Sequence, residues 1–340
     1  MNKRLLVFDC HEAWVYQLRA LDCPLDIVVG LRGRSQDGWD ENMRPLPPNG
    51  RLVRLDEVLK QTEPYACIVG HNLTDLLDVK SIPGPRILVI HEALDGVAHE
   101  HQLAVSKEEF LGTFAKFVNL TGTHVVAVSQ MKGRSWGFEE DIVRLSADTM
   151  DYLPWSGNLP RGLRVANHIS RRLRTLLWDF HQKAFEGLPI TLVGHNSDME
   201  GVLPANNWEH LKQIFSQHRF YIHTADPRLE DGYNMATLEA MAAGLPVLGN
   251  RHPTSPVEHG VSGMLSDDPA ELRAYALRLL DDCDLAKRMG AAAQKVVAER
   301  FSLDQFHKRF SHSIERAQRR WLKQQNGSCA KEVPLAASFR

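Results

Sequence analysis

At 340 residues the chain exceeds what one hydrophobic core usually organises, so two domains of ordinary size are expected. An apolar share of 43% against 24% charged excludes extended disorder. The 40 basic and 42 acidic residues are interspersed and not blocked by sign, which excludes a nucleic-acid footprint and with it nucleic acid as a partner.

The first apolar run, Leu5–Cys10, is a strand candidate that meets Asp9 and His11 too early to form a signal-peptide core. Further strands are expected at Ile27–Gly30, Ala66–Gly70, Ile87–His91 and Val125–Ser129, rich in Val, Ile and Leu on both faces as central parallel strands are. Ser106 and Glu109 stand at capping-box spacing at the head of a helix over Glu108–Asn119. Tyr152–Arg164, with Pro154, Gly157, Pro160 and Gly162, is the strongest linker signal and sets the domain boundary.

A second alternating series follows: strand Leu163–Asn167, helix Arg171–Phe185, strand Ile190–Val193, helix Asn207–Ser216, strand Phe220–His223, helix Asn234–Ala243 and strand Pro246–Leu248. Asp268, Pro269 and Glu271 supply the cap, first-turn proline and capping-box acid of the next helix, and Ser302 with Gln305 repeats the device for the last. The domains read as 1–158 and 159–304, then a helix over 305–325 and a tail, 326–340, without periodicity. Such alternation implies α/β architecture, parallel sheets covered by helices. The cysteines, Cys10, Cys23, Cys67, Cys283 and Cys329, lack CxxC spacing and read as reduced thiols. No stretch approaches the roughly 20 apolar residues of a spanning helix. A cytoplasmic protein is expected, with a peripheral contact at the inner face of a membrane left open.

The chemistry concentrates in FYIHTADPRLEDGYNMATLEAMAAGLPVLGN, where a buried strand, an acidic loop, a helix and another strand follow in direct succession. Ligands of such sheets collect at the carboxyl ends of strands, beside helix N-termini. Amides around Gly232, Asn234 and Met235 would face an anion such as a diphosphate, and Gly232 permits a close backbone approach. Asp231 and Glu239 could each accept two hydroxyl hydrogen bonds, as the vicinal hydroxyls of a sugar and of a ribose require. On spacing alone, a turn-capping Asp231 and a solvated Glu239 explain the pair as well.

The string Asp231-Gly232-Tyr233-Asn234-Met235-Ala236-Thr237-Leu238-Glu239-Ala240-Met241-Ala242-Ala243-Gly244-Leu245-Pro246-Val247 resembles the "E-G-F-G-L-x-x-L-E-A-M-A-x-G-x-P-V" pattern of retaining glycosyltransferases of the GT-B fold, family four. PVEHGVSGML, with Glu258, Gly260 and Gly263, is similar to the family's next stretch, and the likeness covers about residues 160 to 325. The resemblance implies two Rossmann-like domains facing a central cleft, with the last helix returning toward the N-terminal domain. It implies that Glu239 binds the ribose and Asp231 the transferred sugar, with Gly232, Tyr233, Asn234, Met235 and Thr237 at the donor site. Asp231 stands where the family has Glu, one methylene longer.

The family's "G-R-x-x-x-x-K-G" corresponds to VANHISRRLRTLL, with Asn167 at the glycine position and Arg171 and Arg172, backed by Arg174, as diphosphate clamps. A solvated basic helix face explains these arginines equally well. His91 is the resemblance's candidate beside the donor sugar, against a hydrogen-bonded structural histidine. The family's glycine-rich acceptor loop is replaced by Asp9-Cys10-His11-Glu12-Ala13. His91, Glu92, His99, Glu100 and His101 cluster in sequence, but without an HExxH pair or cysteine cluster no metal is expected there.

The function implied is transfer of a hexosyl group from a UDP- or GDP-sugar to an acceptor hydroxyl with retention, as in bacterial surface polysaccharide synthesis, with no cofactor beyond the nucleotide sugar. Helix amides and arginines can stabilise the departing diphosphate without a divalent ion. A sugar-nucleotide epimerase on the same architecture and a catalytically silent sugar-nucleotide binder are the rival readings.

Overall fold

A computed structural model describes residues 4–31, 34, 37–101 and 105–329. The first half holds strands β1 (Leu5–Phe8), β2 (Leu25–Val29), β3 (Gly50–Arg54), β4 (Cys67–Gly70), β5 (Arg86–Ile90) and β6 (His124–Ala127). Its helices are α1 (Glu12–Val15), α2 (Leu55–Val58), α3 (Leu73–Asp78), α4 (Leu94–His101), α5 (Lys107–Thr121) and α6 (Gln130–Trp136). The second half holds β7 (Leu159–Val165), β8 (Ile190–Val193), β9 (His218–Ile222), β10 (Val247–Gly249) and β11 (Gly263–Leu265). Helices α7 (Trp178–Phe185), α8 (Trp208–Gln217), α9 (Met235–Ala242), α10 (Pro269–Asp281), α11 (Cys283–Arg300) and α12 (Leu303–Cys329) complete it.

Every paired strand is parallel. The first sheet has the order β3-β2-β1-β4-β5-β6 and the second β11-β10-β9-β7-β8. Both are doubly wound orders, and each reverses direction once, between β1 and β4 and between β7 and β9. Such a reversal opens a crevice at the carboxyl ends of the two strands, where a ligand can enter. Sequence dictates which strands are central: all four residues of β1 are buried, whereas β3 buries only Val53 and sits at an edge. Its polar Gly-Arg-Leu-Val-Arg run carries no apolar signal, and the three-residue β11 is too short to carry one.

Helix starts follow their caps. Ser106 Oγ accepts from the Glu109 amide, Asn207 Oδ1 from His210 and Asp268 Oδ1 from Ala270. At the Asp268 cap the reciprocal acid does other work, since Glu271 accepts from Ser266 and Tyr275. The helix expected from Arg171 begins instead at Trp178, because Ile169–Arg171 forms a short 3-10 turn and Leu177 takes a left-handed φ of 46°. The last helix continues to Cys329, four residues into the stretch read as tail; residues 330–340 lie outside the described residues.

Helix α12 buries Phe306, Phe310, Ser313 and Ala317, a stripe at helical spacing. It leaves the second half and lies on the first: Phe306 and Phe310 meet Trp14 edge to face at 6.4 and 6.0 Å, and Gln318 donates to the Ala66 carbonyl. The chain thus crosses between the halves twice. At these crossings the Ala147 amide donates to the Phe301 carbonyl at 3.0 Å. Cys10, Cys23, Cys67 and Cys283 are free thiols, and no helix among the described residues is long and apolar enough to cross a membrane.

Candidate active site

The loop after β9 is held by its own side chains. His223 Nε2 meets the Asp231 carbonyl at 3.1 Å, His252 Nε2 meets that of Glu230 at 3.0 Å, and the Gly232 amide donates to Thr254 Oγ1. A Cβ at Gly232 would stand 2.7 Å from His252 Nδ1 and from the Ser255 amide, so the space the glycine frees is filled by this loop itself. Asn234 caps α9 in a capping box with Thr237, which uses the amides of both residues within the helix. Tyr233 is buried against Phe301, and Met235 borders the gap between the halves.

Charge gathers on this loop from both halves. Lys132, in the first turn of α6, is buried and places Nζ 2.9 Å from Glu230 Oε1 and 3.4 Å from Asp231 Oδ2. Arg172 reaches Glu230 at 3.3 Å and Glu100 at 3.2 Å. Burial alone would lower the Lys132 pKa, but Glu230 and Asp231 outweigh it and raise it. Burial likewise pushes Glu230 up, and Lys132 more than reverses this. Asp231 Oδ1 is buried and has no hydrogen-bond partner among the described residues. A carboxylate oxygen left in this state is costly unless a donor arrives.

Glu239, in the second turn of α9, also faces the other half. Its carboxylate accepts from Arg44 and Tyr152, and burial raises its pKa more than Arg44 lowers it. The Arg44 guanidinium lies 4.5 Å over the Trp208 ring, and the Trp208 amide donates to the Asn42 carbonyl. Tyr16, Arg44, Tyr152, Trp208, Met235 and Glu239 enclose only about 20 Å³ of free space, enough for one water and no nucleotide.

Residues 190–282 match the profile of the family described as Glycosyl transferases group 1. Among solved structures, HepE of Anabaena in complex with UDP and glucose superposes with a TM-score of 0.65 at 14% identity, over 92% of this chain and 99% of that one. Sucrose-phosphate synthase of Thermosynechococcus elongatus gives 0.60 at 14%, over 96% and 100%, and a glycosyltransferase of Rickettsia africae 0.58 at 12%, over 92% and 98%. No curated protein matches in sequence. The chain has the GT-B fold, and residues 190–282 of its second half are similar to the group 1 glycosyltransferases.

The first-sheet residues opposite the Asp231 loop form the other wall of the cleft. His91 follows β5 there, with Nε2 2.8 Å from Nδ1 of His71, which follows β4. Burial lowers His71 to about 3 and His91 well below the usual range, so both rings are neutral. Of the basic candidates, Arg172 joins the Asp231 loop. Arg171 is exposed, and Arg174, also exposed, lies 3.9 Å from Asp226. Sequence reasoning missed Lys132, Arg44, Trp208, Glu230 and His71. Two of these had a signal: Lys132 and His71 come just after strand ends, on the same edge of the first GT-B sheet as His91. Arg44 sits in the aperiodic stretch between β2 and β3, where no pattern marks one residue above another.

Proposed function

We propose that this chain transfers a hexosyl group from a nucleoside diphosphate sugar to an acceptor hydroxyl, with retention, as in the building of a surface polysaccharide or glycoconjugate. The observation that carries the reading is the buried, partnerless Oδ1 of Asp231, a charged acceptor at a switch-point crevice that suits a sugar hydroxyl. Lys132 and Arg172 converge on the neighbouring Glu230. The diphosphate draws on these same cations as its negative charge grows, so they stabilise departure more than they stabilise ground-state binding. Charge is thereby neutralised without magnesium or manganese. The ribose takes the Glu239 carboxylate once Arg44 releases it. Arg171 adds charge at the mouth and not at the reacting bond.

The test is acceptor-dependent release of nucleoside diphosphate from UDP- and GDP-hexoses, with and without magnesium or manganese. Release that needs an acceptor and no such ion is expected. Conversion of donor without acceptor would point to an epimerase, and binding with no turnover to a silent binder. Absence of thermal stabilisation by any nucleoside diphosphate, where a ligand at 100 times its Kd adds about 2.7 kcal/mol, would remove the nucleotide site itself.

A further inference from the structure

Three neighbouring strands of the first sheet, β1, β4 and β5, each deliver a metal-ligating side chain just past their carboxyl ends: Cys10, His71 and His91. One sulfur and two ring nitrogens lie within 4.8 Å of one another. The facing nitrogens of the two histidines are 2.8 Å apart, with one proton shared between two lone pairs. Zinc–nitrogen bonds of about 2.0–2.1 Å in a tetrahedron set such nitrogens about 3.3 Å apart, so a shift of about half an ångström turns this hydrogen bond into a ligand pair.

The surroundings suit an ion. The edge of Trp14 holds His71 at 4.7 Å and His91 at 5.2 Å, which fixes both rings before anything binds. Asp9, next to Cys10, is buried, and its Oδ1 has no hydrogen-bond partner among the described residues. The positive charge of Lys132, which also acts on His91, is already answered by Glu230 and Asp231. A packed pair of imidazoles needs no thiol beside it; a cation uses one.

We propose that Cys10, His71 and His91 form a binding site for a zinc-class divalent cation. One thiolate and two imidazoles are a donor set that favours zinc over magnesium or calcium, and three protein ligands leave the fourth tetrahedral position to water. Binding releases the thiol proton to solvent, and the proton between the rings moves to the far nitrogen of the same imidazole. The site lies in the wall of the cleft opposite the Asp231 loop, and its test reads metal and not turnover.

The full chain, stripped with a chelator, is titrated with cobalt(II). One equivalent is expected to bind, with the near-ultraviolet sulfur-to-cobalt band and visible bands of a tetrahedral thiolate site. The sulfur band should vanish in Cys10→Ser and persist in Cys283→Ser, and His71→Ala should weaken zinc binding at least tenfold in competition. Absence of a sulfur band in the unaltered chain, or its survival in Cys10→Ser, would overturn the proposal. Should Cys10→Ser not fold, alkylation of the unaltered chain followed by peptide mass analysis decides: zinc must protect Cys10 selectively, and equal labelling with and without zinc refutes the site.

Discussion

Arg44 and Glu239, 195 positions apart in the chain, form a buried ion pair that closes the gap between the two halves of the protein. Glu239 is the carboxylate that the family resemblance implies for the ribose. On the function proposed above, nucleotide entry competes with a side chain of the protein's own first half. Arg44→Ala is expected to raise nucleoside diphosphate affinity in calorimetry while lowering the stability of the free protein by about 3–5 kcal/mol, because it leaves a buried carboxylate unpaired. Unchanged or weaker affinity would show that Arg44 does not occupy the nucleotide's place.

Glu239→Gln keeps the shape of the side chain and removes its charge. Hydrogen bonds to a charged group contribute about 1.5–3 kcal/mol, so nucleotide affinity should fall tenfold or more. A variant that binds nucleotide as tightly as the parent would remove Glu239 from the ribose site.

Asp231→Asn should damage turnover more than affinity for the bare nucleoside diphosphate, because the proposed function gives Oδ1 to the sugar. Lys132 loses one of its two counter-charges in this variant, so a stability measurement accompanies the kinetics. Equal losses in turnover and nucleotide binding would assign Asp231 to the nucleotide instead.

Arg172 and Arg171 are adjacent in sequence and differ in placement. Arg172→Ala is expected to cost about 10²–10³ in turnover, the range for removing one donor aimed at developing charge. Arg171→Ala and the control Arg174→Ala should cost far less. Near-normal turnover in Arg172→Ala would move the clamp elsewhere.

His223 ties β9 to the Asp231 loop. Burial lowers its pKa from 6.5 to about 4, against a smaller upward pull from the Asp231 carbonyl. Between these values the unfolded chain binds the proton and the folded chain does not, so stability is full above pH 6.5 and is lost as pH falls toward 4. The loss reaches about 3 kcal/mol from this group. Denaturant titrations across that window should show a shallower slope for His223→Asn; an unaltered slope would place the acid sensitivity on other groups.

The Asp231 side of the cleft was legible in the sequence because its elements are local. Strand, loop and helix from Phe220 to Ala243 are contiguous, and Asp231 and Glu239 lie where that run places them. Ile190–Val193 was legible to the residue, since an apolar run between polar flanks has one reading. The opposite wall was legible only in part. His91 could be found at a strand end, but its partner His71 is 20 positions away, and nothing in the chain pairs them before the sheet brings β4 beside β5. Arg44 was invisible for the same reason at greater range, since its partner is set by how two domains meet. The error at Arg171 was of another kind: the basic run looks helical by composition, and the left-handed Leu177 breaks it.

The hydrogen bond between Ala147 and Phe301 holds the two chain crossings side by side. Ala147 and the Arg44–Glu239 pair line one small gap, so the seam where the chain passes between the halves lies against the contact that closes them.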